Sequence, residues 1–181
     1  MRYTAFIGLG SNLASAAGSP AETVLAALQA LPALGRVVAQ SSLYRTAPVG
    51  YREQPYFINA VACLETELEP EGLLRELLAI ERSFGRERDK SIRKGPRTLD
   101  LDLLLVFDRR DNGKAEGEAI LYESPALTLP HPEMANRRFV VQPLAEIAPD
   151  LRHPVLHKSM RRLLEELSAQ GRNAEEEVTR L

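Results

Sequence analysis

Apolar and polar positions along the 181-residue chain change period several times, and each change marks an element. Arg2 to Gly8 alternates as a strand does, and the turn-rich Gly8-Leu9-Gly10-Ser11-Asn12 follows. Ser19-Pro20-Ala21-Glu22 is a capping box with proline at the first helical position. The helix it opens runs to about Leu31, turns Val24, Leu25, Leu28 and Leu31 inward, and is ended by Pro32 and Gly35. Val37 to Tyr44 reads as a second strand, Arg45 to Pro55 as a loop, and Tyr56 to Glu65 as a third strand. Period-two spacing puts Phe57, Asn59, Val61 and Cys63 on one face of that strand and Ile58, Ala60, Ala62 and Leu64 on the other.

Pro70 opens a second helix whose Leu73, Leu74, Leu77, Ile80 and Phe84 form an apolar stripe, with Gly85 as its C′ residue. Leucine then alternates with aspartate from Leu99 to Asp102, and an apolar run through Phe107 completes a fourth strand. Asp108 to Gly117 reads as the mobile tip of a hairpin that returns through Ala119 to Tyr122. Met134 to Val141 is expected to be a short helix and Ser159 to Gln170 an amphipathic one, with a frayed tail after Gly171. The order strand, helix, strand, strand, helix, strand predicts an α+β fold: a ferredoxin-like βαββαβ sandwich with C-terminal helical and hairpin additions, one domain over residues 1–181.

Composition narrows the setting rather than the function. A hydrophobic fraction of 44% and a charged fraction of 27% are ordinary for a soluble protein, and no apolar run approaches the ~20 residues of a membrane span. Cys63 is the sole cysteine, so an intramolecular disulfide and a cysteine-based zinc site are both excluded. The N-terminus lacks signal-peptide character, and a cytoplasmic location is the expectation. A net charge of −2 argues against general nucleic-acid binding.

That charge is unevenly spread. Between Arg82 and Arg97 seven cations face only Glu87 and Asp89, giving +5 against −7 for the rest of the chain. Gly85, Gly95 and Pro96 break any long helix there, so much of the run lies in a loop. It leads into Asp100 and Asp102, which share one strand face about 6.6–7 Å apart at Cα. Two carboxylates side by side on an apolar strand repel each other and are costly to desolvate, and a cation between them removes both penalties. Paired carboxylates for divalent metal beside arginines for phosphate oxygens point to a nucleoside triphosphate.

Five segments in order resemble the 6-hydroxymethyl-7,8-dihydropterin pyrophosphokinase family of folate biosynthesis. They are Gly8 to Leu13, Tyr44 to Pro48, Gln54 to Ala60, Gly95 to Asp102, and Pro130 to Phe139. The resemblance implies transfer of diphosphate from ATP to the pterin hydroxymethyl group with release of AMP. It implies that Asp100 and Asp102 hold two Mg²⁺ ions and that Arg86 and Arg97 join them as catalytic residues. It implies ATP contacts at Glu81, Arg88, Arg93, Arg97, Leu103, Thr128, His131 and Arg137. For the pterin it implies Thr46, Ala47, Val49, Phe57, Asn59 and Phe139, with the two phenylalanines stacking and Asn59 supplying an amide. Phe57 and Asn59 share a strand face on spacing alone. ATP and the dihydropterin are the expected partners of a monomer that binds neither nucleic acid nor membrane. The basic loop is expected to be mobile and to order over ATP. Lys94 stands where many relatives carry tryptophan, which this chain lacks altogether. His153 and His157 read as surface residues.

Two other readings are open to the residues. A nucleotidyltransferase would also pair Gly10-Ser11 with Asp-x-Asp, although about 90 residues separate them here. An RNA-binding module on a ferredoxin-like sheet would show exposed aromatics on a basic face, whereas aromatics are 6% of this chain and the strand carries aspartates.

Overall fold

The computed structural model describes residues 1–48, 53–86, 95–109, 117–169 and 177–181. The capping box forms as expected: the Ser19 hydroxyl accepts from Glu22 N–H, and the Glu22 carboxylate accepts from Ser19 N–H at 2.8 Å. It starts α1 (Pro20–Ala30), and a 3₁₀ turn over Leu31–Ala33 takes the place of a last helical residue. The second helix, α2 (Pro70–Ser83), ends on Gly85 at φ +82°, a conformation that glycine adopts without strain.

β1 (Tyr3–Ser11) lies at the centre of an antiparallel sheet between β4 (Phe57–Thr66) and β5 (Asp100–Asp108). The outer edge of β4 is covered twice in succession, by β2 (Arg36–Gln40) and then β3 (Tyr44–Thr46). The expected strand over Val37 to Tyr44 is therefore two strands. Ser41 makes the break by substituting for the ladder: its N–H donates to Val61 O, its hydroxyl accepts from Val61 N–H at 3.0 Å, and the same hydroxyl donates to Ser42 O. Arg45 and Thr46, expected in the following loop, belong to β3.

The hairpin after β5 returns as β6 (Glu118–Ala119), paired Phe107↔Ala119; the expected tip at 110–116 lies outside the described residues. A two-stranded piece, β7 (Tyr122–Glu123) with β8 (Thr128–Leu129), follows. The helix expected over Met134 to Val141 divides into a 3₁₀ turn at Met134–Asn136 and α3 (Arg138–Ile147), which continues through Pro143. α4 (Met160–Ala169) packs beside it. Of the tail expected to fray after Gly171, residues 171–176 lie outside the described residues, and the part beyond them is ordered instead as β9 (Val178–Arg180), paired antiparallel with β3. His153 corrects another expectation. It is buried, its Nδ1 accepts from the Val155 and Leu156 amides, and burial followed by His157 lowers its pKa.

Each sheet face has its own core. α1 and α2 cover Ile7, Leu9, Ala60, Ala62, Leu64, Leu101 and Leu103, while α3 and α4 cover Phe6, Val61, Cys63, Leu104, Leu105 and Phe107. Full burial of such side chains contributes roughly 1.5–3 kcal/mol each. Leu104 and Leu105 face the same side because a bulge opposite Phe6 and Ile7 resets the phase of β5.

Glu146 of α3 ties that layer to the sheet: its carboxylate accepts from Ser42 N–H, the Ser42 hydroxyl and, at 2.8 Å, the Tyr44 hydroxyl. Burial opposes ionisation of Glu146, but these donors outweigh it and hold its pKa low, while burial and the bond to Glu146 push the Tyr44 phenol up to about 12. Glu146→Ala is expected to destabilise the fold by about 1–3 kcal/mol, because it strands a buried phenol. Urea denaturation reads this as a lower midpoint at unchanged slope.

Candidate active site

The α3 face of the sheet is not filled at one end. Across the central strand, Gly10 stands between Asn59 and Asp100, and Gly8 between Val61 and Asp102. Side chains at 6, 8 and 10 point to this face, so two glycines in register leave a trough in the floor. A cavity of about 380 Å³ results, walled by Thr46, Ala47 and Phe57 on one side and by Arg97, Asp100 and Asp102 on the other. Residues 133–140 roof it through Glu133, Asn136, Arg137, Phe139 and Val140. Two strand spacings, about 10 Å, separate Asn59 from Asp100.

The amide end is fixed by close contacts. Asn59 Nδ2 donates to Thr46 Oγ1 at 2.6 Å, and a Cβ on Gly10 would come within 2.8 Å of Asn59 Oδ1. Glycine is therefore required at position 10 for Asn59 to sit where it does. Phe57 and Phe139 face the cavity, and each has an arginine nearby: Arg97 lies 5.1 Å from the Phe57 ring centre and Arg137 5.7 Å from that of Phe139.

The charged end carries opposing terms. Arg97 Nη1 donates to Asp100 Oδ2 at 2.8 Å, and Arg86 Nη2 lies 3.6 Å from Asp100 Oδ1. Burial, and next the Asp100 carboxylate, pushes Asp102 up to about 7; Arg137 and Arg97 pull the other way and Glu81 adds to the rise. A carboxylate so placed is short of positive charge. Arg137 pairs with Glu133 at the entry to α3. The His131 amide is pinned to Leu104 O on β5, and its Nδ1 accepts from Glu133 N–H. Burial and Arg137 lower the His131 pKa, so the ring is neutral with Nε2 as its donor.

Not every expected contact residue reaches the cavity. Leu103 packs into the α1 and α2 core, and Thr128 is exposed on β8. Glu81 is buried under the sheet with Oε1 accepting from Leu101 N–H at 2.8 Å, so it fixes the strand between the two aspartates. Val49, Arg88 and Arg93, together with Lys94 and most of the basic loop, lie outside the described residues.

Sequence reasoning assigned no role to Asn12, which is 2% exposed and clasps two other segments to the end of β1. Its Oδ1 accepts from Arg97 N–H at 2.8 Å, its Nδ2 donates to Gln54 Oε1 and Pro55 O, and its amide donates to Arg97 O. The one signal was its place after the glycines of β1. Among the described residues no group of three or more His, Cys, Asp or Glu could hold a metal, so the aspartate pair would leave most of a coordination sphere to water and substrate.

The fold and site together define an α+β domain in which one cavity carries an amide and aromatic rings at one end and carboxylates and guanidinium groups at the other. Residues 6–149 match the family of 7,8-dihydro-6-hydroxymethylpterin-pyrophosphokinase, and the chain belongs to it. It is 48% identical over 151 residues to the 2-amino-4-hydroxy-6-hydroxymethyldihydropteridine pyrophosphokinase of Pseudomonas aeruginosa, covering 82% of this chain and 83% of that protein. It is 38% identical over 169 residues to the folic acid synthesis protein fol1 of Schizosaccharomyces pombe, covering 92% of this chain but 21% of that longer protein. In fold it is similar to wild-type Plasmodium falciparum HPPK-DHPS, with a TM-score of 0.66 at 15% identity over 96% of this chain and 46% of that one.

Proposed function

We propose that this chain is a pyrophosphokinase of folate biosynthesis, transferring the terminal diphosphate of ATP to the hydroxymethyl group of 6-hydroxymethyl-7,8-dihydropterin. The observation that carries the reading is the single trough joining Asn59 and Phe57 to Asp100 and Asp102. A pterin hydrogen-bonded to Asn59 and stacked between Phe57 and Phe139 would direct its hydroxymethyl arm along the glycine floor. Its hydroxyl oxygen attacks the β-phosphorus, the bond from that phosphorus to the α-bridging oxygen breaks, and AMP leaves as the hydroxyl proton is lost.

Asp100 and Asp102 suit Mg²⁺: they are hard oxygen donors, Asp102 is half-buried and short of positive charge, and magnesium accepts two carboxylates with water and phosphate oxygens completing its shell. Two such ions, when bound, neutralise charge on the phosphate oxygens and make the attacking hydroxyl more acidic. Arg97 and Arg86, directed at Asp100 in the ligand-free chain, supply forked donors for phosphate oxygens. Neutral His131 offers Nε2–H to the nucleotide, and Arg137 adds a cation at the roof. Arg88 and Arg93 belong to the same reading as phosphate contacts. Positioning and fixed charge carry phosphoryl transfer, so no dedicated base is needed.

The antiparallel order β5, β1, β4, then β2 and β3, with α1 and α2 as crossovers, supports a ferredoxin-like description of this single domain. A monomer in the cytoplasm acting only on small molecules completes the reading. Buried Cys63, its thiol pushed up to about 11 by burial first and then Glu65, is an unreactive core side chain. Among the described residues no helix is long and apolar enough to cross a membrane.

Labelled ATP tests the reaction: label in the β-phosphate is expected on the pterin and label in the α-phosphate in AMP. Label from the α-phosphate on the pterin would instead identify nucleotidyl transfer. Gly10→Ala is expected to raise the pterin KM about tenfold by displacing Asn59, with the ATP KM little changed. Steady-state kinetics with each substrate varied in turn checks this.

A further inference from the structure

The family match ends at residue 149, yet the far end of the chain returns to the sheet. β9 pairs with β3 in the register Tyr44↔Arg180, Arg45↔Thr179 and Thr46↔Val178. The ladder reaches past both strand ends: Leu181 N–H donates to Leu43 O at 2.9 Å, and Ala47 N–H donates to Glu177 O at 3.0 Å. Thr46 and Ala47 are the two residues of this segment that wall the cavity, and Thr46 holds Asn59.

β3 is only three residues long, and its other edge lies on β4. A strand that short, paired on one side only, opens readily, and the Ala47 amide would then face water. Side chains extend the attachment. The Tyr56 hydroxyl donates to the Glu177 carboxylate at 3.2 Å, next in sequence to Phe57, and the Arg45 guanidinium lies 3.8 Å from the Tyr56 ring centre. Arg180 Nη2 lies 3.4 Å from Glu146 Oε1 on α3, the helix that carries Phe139 into the roof. β9 thus bonds to one wall of the amide end and touches the helix of the other. Three strands, β3, β4 and β1, lie between β9 and the strand that carries Asp100 and Asp102 at the opposite end.

We propose that β9 is a positioning element for the pterin end of the site, holding Thr46 and Ala47 in their binding geometry so that Asn59 and Phe57 meet the ring preorganised. This rests on the pyrophosphokinase reading. The chain's C-terminal residues therefore set affinity for the pterin without touching it, and leave the phosphate end alone.

Two variants test this: removal of residues 177–181, and Thr179→Pro. Thr179 lies midway between the ladder-bonded positions 177 and 181, so its N–H faces β3 and proline would delete it. Both variants are expected to raise the pterin KM about fivefold or more, with kcat and the ATP KM within about twofold. Amide exchange at residues 44–47 is expected to speed up while that of α1 and β5 stays slow. Unchanged pterin KM in a folded truncation would overturn the proposal. A parallel rise in both KM values with a fall in kcat would also overturn it, because it would mark a general loss of structure. A full-length chain without pterin-dependent turnover would overturn the pyrophosphokinase reading itself, and this proposal with it.

Discussion

Asp102→Asn is expected to lower kcat about 10³-fold while raising the thermal midpoint of the ligand-free protein. The two effects have one cause. Asp102 is half-buried beside Asp100 on the same strand face, and the positive charge within reach, Arg97 and Arg137, leaves it pushed up rather than held low. An amide fills the same space without a charge to desolvate and without repulsion from Asp100, so the fold gains. The site loses a hard anionic oxygen, and the phosphate end loses its means of drawing a divalent cation. Calorimetry with and without Mg²⁺ separates the contributions: added Mg²⁺ raises the midpoint of the parent protein and leaves that of the variant in place. A variant that turned over normally with an unchanged midpoint would show that the carboxylate is an ordinary solvated strand end, and one that melted earlier would show that the charge stabilises the fold.

Arg97→Ala is expected to cost about 10²-fold in kcat with a smaller loss of stability. Arg97 serves through both parts of the residue. Its guanidinium spans Asp100 and the Phe57 ring, and so lies where the two ends of the cavity meet. Its main chain is locked by Asn12, whose side chain accepts from Arg97 N–H and whose amide donates to Arg97 O. Truncation leaves the main-chain lock intact, so the loss falls on turnover. Arg97→Lys keeps the charge but not the planar fork, and is expected to recover only part of the activity. Full recovery with lysine would mean that charge alone suffices there.

Much of this site was legible because its residues obey a short period. Phe57 and Asn59 share a face with Val61 and Cys63 as period two requires, and the cavity and the α3 core divide that face between them. Asp100 and Asp102 likewise point the same way. What stayed hidden were departures from period. The bulge at Leu104 lies inside an all-apolar run, so shifting its phase changes nothing visible in the pattern. Ser41 breaks a strand by imitating a ladder partner with its hydroxyl, which no count of apolar positions detects. β9 is three residues of mixed polarity near a charged end, and its pairing is defined by β3, more than 130 positions earlier. Glu81 sits on the buried face of α2 where a leucine would fit the stripe, because the amide of Leu101 needs its carboxylate.

The most direct test is a product analysis with purified protein, Mg²⁺, ATP and 6-hydroxymethyl-7,8-dihydropterin, the nucleotides being resolved by chromatography. AMP that forms only when the pterin is present, vanishes with EDTA and is lost in Asp102→Asn is the predicted result. ADP or free pyrophosphate as the pterin-dependent product, or turnover indifferent to EDTA, would contradict the account.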